Sequence, residues 1–214
     1  MLYYAFPLRP CRFIMLGMTE LARCNWCLGD DLMVEYHDKE WGVPVHNDKK
    51  LFEYMVLDAF QAGLSWRTVL HKRKAFREAF DNFNPIIISN YNEAKIAELM
   101  ANPQIIRNRA KILSTVSNAK AFLEVQRKYG TFGRFIWEFV CGKPIITNLR
   151  DLKEIKSHSP ESDFMSVELK KLGFKFVGTT ICYAFMQAAG LVNDHEINCF
   201  RFQQLKSRVK GKTA

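Results

Sequence analysis

The sequence predicts an all-α fold. Three observations carry that reading. Capped apolar runs at helical spacing follow one another, as in Leu51–Phe60, Val69–Phe80 and Ile112–Leu123. No run sustains the apolar–polar alternation of a half-buried strand; only Pro144-Ile-Ile-Thr147 reads as a short extended piece. There is no internal repeat and no low-complexity linker. The chain has 214 residues, 48% hydrophobic and 13% aromatic. That composition supplies a packed core and argues against global disorder, at a length for one large domain or two small ones.

Residues 1–20, MLYYAFPLRPCRFIMLGMTE, are mildly apolar. They lack the basic start, continuous apolar region and small-residue cleavage site of a signal peptide. They read as an N-terminal extension, with Met15 and Met18 as alternative starts. No stretch is long and apolar enough to span a bilayer, so no membrane partner is expected. Residues 21–205 read as a single helical domain. The segment from Cys24 to Pro44 is rich in aromatics and poor in periodicity, so it is expected to wrap over the fold without a regular element. Asn47 and Asp48 cap a helix through Leu51, Phe52, Met55, Val56, Ala59 and Phe60, with Asp58 inside its apolar turn. Gln61-Ala-Gly-Leu-Ser-Trp66 breaks it, and Ser65 caps the next helix. Pro85 marks a boundary, and Asn92 caps a short helix. A long amphipathic helix ends at Gly130 and another at Gly142. Residues 156–162 read as a polar loop and Phe164–Leu172 as a helix. The chain is basic and frayed from Arg201 onward, with 206–214 as a flexible tail.

Between the last two helices lies Lys170-Lys-Leu-Gly-Phe-Lys-Phe-Val-Gly178. Gly173 and Gly178 allow a sharp bend and the close approach of a partner. Thr179 and Thr180 are candidate caps for the helix that follows, which closes at Gly190. A glycine-bounded hairpin that opens a helix offers backbone amides to phosphate, and Lys175 suits it. An ordinary helical hairpin with solvated lysines fits the same residues.

The net charge of +9 favours a polyanionic partner or an acidic membrane surface. Six cysteines, at 11, 24, 27, 141, 182 and 199, are too few and too scattered for a disulfide scaffold, and a reduced, cytoplasmic setting is expected. His195 and Cys199, four apart, would share one face of a helix and one ion. Cys24 and His37 complete a closed N₂S₂ shell. Cys24-x-x-Cys27 is itself a zinc half-site, and spacing alone leaves the two sets in competition. His46, His71 and His158 read as surface residues without partners.

Four segments together resemble the 3-methyladenine DNA glycosylase I family. They are Tyr36-His-Asp-x-Glu-Trp-Gly-Val-Pro44, Gln61-Ala-Gly-Leu-Ser-Trp66, Gly173-Phe-Lys-Phe-Val-Gly-Thr-Thr-Ile-Cys-Tyr183 and Gly190-Leu-Val-Asn-Asp-His195. The similarity runs from about Cys24 to Cys199. It implies a helix-hairpin-helix glycosylase fold and an enzyme that flips and excises 3-methyladenine from alkylated double-stranded DNA; with no candidate lysine for Schiff-base chemistry at the pocket, a monofunctional enzyme is expected. The partners it implies are that DNA and free 3-methyladenine as product, with the chain a monomer. It implies a structural zinc tying N- and C-terminal segments through Cys24, His37, His195 and Cys199, which decides against Cys27. It implies that Asp58, Tyr36 and Trp66 line the base pocket with Trp26 nearby, and that the hairpin around Gly178, with Lys175 and Thr179, grips the DNA backbone.

Two departures stand out: the family usually has Glu at position 58 and often an aromatic residue at Met33. Where many helix-hairpin-helix glycosylases have Val-Asp-x-His, this chain has Val192-Asn-Asp-His195. Asp194 is one place off register and reads as a cap or a support to the zinc ligands. Leu64 is a candidate wedge for the gap left by a flipped base, or a core leucine. Arg67 is a candidate partner for Asp58. A non-catalytic reader of alkylated DNA or of modified base is the alternative function.

Overall fold

The computed structural model describes residues 21–210. The N-terminal extension and residues 211–214 lie outside the described residues. The helix α2 (Asp48–Gln61) is the centre of the bundle: every side chain from Leu51 to Phe60 is buried, Glu53 and Asp58 included. It is enclosed by α3 (Trp66–Ala79), α6 (Arg109–Tyr129), α7 (Phe132–Glu138) and α9 (Thr179–Ala188). Aromatic rings join these layers. Phe52 meets Phe122 edge-on at 4.9 Å, Phe122 stacks on Phe132 at 4.3 Å, and Phe60 meets Phe76 at 4.7 Å. Each such ring stabilises the fold by about 1.5–3 kcal/mol through burial.

The caps expected at Asn47, Ser65 and Asn92 are in place. Asn47 Oδ1 accepts the Lys50 amide at 3.0 Å, and Ser65 Oγ accepts that of Thr68 at 3.2 Å. Pro85 opens α4 (Pro85–Ile88), and Asn92 caps α5 (Glu93–Ala101). The extended piece at Pro144–Thr147 holds β1 (Ile145–Ile146), which pairs in parallel with β2 (Val192–Asn193), Ile145 opposite Val192. No helix of the described residues is long and apolar enough to cross a membrane.

Several expectations are corrected. The Cys24–Pro44 segment is not irregular: it holds a 3₁₀ turn (Asn25–Cys27) and α1 (Asp31–Lys39), capped by Asp30. The loop at 156–162 ends early, because Ser159 and Ser162 form a reciprocal capping box that starts α8 (Pro160–Lys171). The helix α7 stops at Glu138, and the left-handed residues Cys141 and Gly142 turn the chain away. Neither Thr179 nor Thr180 caps α9. Gly178 is its N-cap, without a side-chain bond, and the Thr179 hydroxyl goes to Asp163. Of the residues expected to fray from Arg201, those through Lys210 belong to α10 (Phe200–Lys210). The three histidines have partners: His71 bonds Asp30 at 2.7 Å, His158 bonds Asp163 at 3.2 Å, and His46 stacks on Trp137.

Candidate active site

The inner end of α2 meets α1, α3 and α9 around a cavity of about 490 Å³. Tyr36, Asp58, Trp26 and Trp66 all line it. The Tyr36 ring lies 5.0 Å from that of Trp66 and 6.4 Å from that of Trp26. Asp58 is 2% exposed, and its Oδ2 has no hydrogen-bond partner among the described residues. The indole Nε1 groups of Trp26 and Trp66 are likewise buried without partners. Three orphaned polar atoms around one aromatic cavity are the pattern left for a ligand, since such groups are otherwise satisfied.

Burial pushes the Asp58 carboxyl well above the usual carboxylate range, with only partial opposition from Arg73. Burial also pushes the Tyr36 hydroxyl up, so it stays a neutral donor. Arg67 is not the partner of Asp58; it pairs with Asp30 at 3.2 Å. Arg73 is held by Glu40 at 2.8 Å and Glu53 at 2.6 Å. Leu64 is not core: it stands 44% exposed on the loop between α2 and α3, beside left-handed Gly63. Met33 is buried in the core and does not line the cavity.

Sequence reasoning passed over Trp41, Gln61 and Gln187 in the cavity wall. Gln61 carried a usable signal, standing three residues after Asp58 and so on the same helix face. Leu152 and Ile155 come from the loop after β1 and had none. Asp194 is not a support to the Cys/His cluster. It accepts from Thr147 at 2.7 Å and from Tyr183 and Gln187 at 2.8 Å, bracing α9 against β1. Asn193 is structural too, its Oδ1 accepting the His195 amide at 3.2 Å.

Behind the cavity, the ligand atoms of Cys24, His37, His195 and Cys199 lie within 4.8 Å of one another, all four residues buried. His195 and Cys199 meet through a turn and not along a helix: the Cys199 amide donates to the Glu196 carbonyl at 2.8 Å. His195 Nδ1 sits 3.6 Å from Cys24 Sγ and 3.5 Å from Cys199 Sγ, and His37 Nε2 sits 3.4 Å from Cys199 Sγ. The opposite ring nitrogens are also engaged, His37 Nδ1 with Asp38 at 2.7 Å and His195 Nε2 with the Trp41 carbonyl at 3.1 Å. Asp38 in turn accepts from Arg23 at 2.8 Å. The neighbouring Cys24 thiol, then His195 and His37, hold Cys199 well below the usual thiol range, while Cys199 and burial push Cys24 up. Cys27 stays outside the set: its Sγ faces the Cys24 carbonyl at 3.1 Å, and burial pushes it up to about 11.

The hairpin between α8 and α9 presents Lys175 to solvent. Gly173 (φ +90°) and Phe176 (φ +55°) make the bend, while Gly178 has an ordinary φ of −62°. A Cβ at Gly178 would meet none of the described residues within 4 Å.

An aromatic, acid-bearing cavity and a buried Cys/His cluster make this a helical protein built to bind a small ligand. The family model for methyladenine glycosylases matches residues 26–202, and the chain belongs to that family. It is 47% identical over 179 residues to DNA-3-methyladenine glycosylase 1 of Escherichia coli (strain K12), covering 84% of this chain and 96% of that one. A crystal structure of 3-methyladenine DNA glycosylase I superposes with a TM-score of 0.82 at 50% identity, covering 84% and 98% of the two chains. A Tyr-to-Phe variant of such an enzyme, in complex with 3-methyladenine, superposes with a TM-score of 0.81 at 33% identity, covering 83% and 96%.

Proposed function

We propose that this protein excises 3-methyladenine from alkylated double-stranded DNA, acting in base excision repair. The observation that carries the reading is the unpartnered Asp58 carboxyl in a cavity walled by Tyr36, Trp26 and Trp66. Methylation at N3 leaves the base of the nucleotide positively charged. When the bond from sugar to base breaks, the base departs with the electron pair as a neutral molecule. Water supplies a hydroxyl to the sugar carbon and releases its proton to solvent. The chain's tasks are therefore to extrude the nucleotide, hold the base and admit one water. Trp26 and Trp66 attract a cationic base by about 0.5–2 kcal/mol per ring. Asp58 brings the acidic group of the cavity to the base edge, and Tyr36 a hydroxyl. Leu64, exposed on its loop, fills the vacated step.

The hairpin reads as the grip on the DNA backbone, with Lys175 as counter-charge and Gly178 and Thr179 at the contact. The uncapped first turn of α9 leaves amides for phosphate. The Cys/His cluster fits a structural Zn²⁺. Three of its nitrogen–sulfur separations, at 3.4–3.6 Å, match the roughly 3.6 Å edge of a tetrahedron built from usual Zn–N and Zn–S bonds. A carboxylate and a backbone carbonyl steady the outer histidine nitrogens, as zinc-binding histidines require. Bound there, the metal would fasten α1 to the turn before α10 and take no part in the reaction.

The test is release of free 3-methyladenine from randomly methylated duplex DNA. Wild type is expected to release it and Asp58→Asn to lose most of the rate. Tight binding of methylated DNA without release by wild type would make the protein a reader of damage. A covalent adduct trapped with borohydride on abasic DNA would refute the monofunctional assignment.

A further inference from the structure

We infer that α6 fixes the distance between the wedge loop and the DNA-gripping hairpin, with Lys111 and Asn118 as positioning residues. The inference rests on the reading of Leu64 and the hairpin given above. Both side chains are buried, Lys111 at 5% exposure and Asn118 at 1%. Lys111 Nζ donates to the Phe60 carbonyl at 2.8 Å and the Ala62 carbonyl at 2.6 Å. These carbonyls end α2, where the chain turns into Gly63 and Leu64. An ammonium placed there satisfies orphaned helix-end acceptors and complements the negative end of the helix dipole. Asn118 makes a two-bond clasp on the hairpin: its Oδ1 accepts the Lys175 amide at 2.8 Å, and its Nδ2 donates to the Lys175 carbonyl at 3.0 Å. Ser166 of α8 holds the next part of the bend, donating to the Val177 carbonyl at 2.6 Å.

Lys111 and Asn118 stand seven positions apart on one face of α6, a span of about 10 Å along the axis. Each bonds backbone remote in sequence, so each fixes the path of a loop and not the pose of one side chain. Neither lines the base cavity. Successive bases on a strand are about 3.4 Å apart, and a misplacement of about 1 Å can cost on the order of a hundredfold in rate. A wedge and a grip that act on one lesion therefore need a rigid spacer, and α6 supplies it.

The test compares Lys111→Met, Lys111→Arg and Asn118→Asp in the full-length protein. Excision of 3-methyladenine from methylated duplex is measured beside quenching of tryptophan fluorescence by free 3-methyladenine. Asn118→Asp is expected to raise KM for DNA by roughly tenfold with kcat within about twofold, the scale of one lost hydrogen bond beside a phosphate contact. Lys111→Met is expected to lower kcat by roughly tenfold, and Lys111→Arg, which keeps the donors, to restore it. Affinity for free base should not change in any of them. Unchanged KM and kcat, or a free-base affinity that falls in proportion to excision, would overturn the inference. Lys111→Gln and Asn118→Ser replace any variant that does not fold. Leu64→Ala and Gly178→Val test the underlying reading separately. If those two are silent on DNA, that reading fails. If they act while the α6 variants are silent, only the spacer fails.

Discussion

At Asp58, stability and the proposed chemistry oppose each other. The unfolded chain loses the carboxyl proton near the ordinary value of 3.8, whereas burial makes the folded protein keep it to higher pH. The folded state then binds more protons, so this group's contribution to stability falls as pH rises above that value. Asp58→Leu is expected to stabilise the fold by about 1–3 kcal/mol at neutral pH, the cost of one unsatisfied buried polar group. The gain should shrink toward pH 4, as read by urea unfolding, while excision is lost. Trp66→Ala should weaken binding of cationic base by about 0.5–2 kcal/mol, measured by calorimetry with a methylated nucleoside. Asp58 stood out in the sequence as an acid inside a run of Leu, Val and Phe, but its place in the pocket came from the resemblance. The sequence showed Trp66 through a quoted motif and Trp26 only through the family resemblance, since buried indoles are common. It could not show Leu152 or Ile155, which reach the cavity from a loop without periodicity.

Helices were legible where caps and aliphatic spacing agreed, as in α2, α3 and α6. The helix α1 was not, because the side chains it buries are Met33, Tyr36 and His37, two of them polar residues of the site and the cluster. The junction of α9 with the segment after α1 was also hidden. Gly42 donates to the Gln187 carbonyl and Val45 to the Ala189 carbonyl, both at 3.0 Å. Between them Gly190 is left-handed (φ +72°), and a Cβ there would stand 2.3 Å from the Val43 carbonyl carbon. Gly190→Ala should therefore cost about 2–4 kcal/mol in chemical unfolding, through both strain and backbone clash. The end of α1 is tied to α2 and α3 by charge. Burial, which would raise the Glu40 carboxyl, is outweighed by Arg73 and Lys50, which lower it to about 2. Its stabilising contribution is present above the unfolded value of 4.5 and lost as pH falls through about 2. Glu40→Gln should cost roughly 2 kcal/mol at neutral pH, a deficit that narrows below pH 4.5.

On the scale of the molecule, the cavity and the Cys/His cluster are two sides of one wall. Trp26 lies two residues from Cys24, Tyr36 precedes His37, and the Trp41 carbonyl holds His195. Cys199→Ser, or a strong chelator under mild denaturant, is expected to lower Tm and weaken free-base binding together, although none of the four ligands lines the cavity. A fall in Tm with full base affinity would separate the two. The cluster also spans the chain from end to end. Two of its ligands are made at the start of the folded domain and two near its end, so a nascent chain short of Cys199 has α1 to α9 but neither α10 nor the closed wall. Lesion recognition should switch on only once that last stretch has left the ribosome, and a stop placed just before Cys199 should leave a product helical by circular dichroism yet unable to release 3-methyladenine.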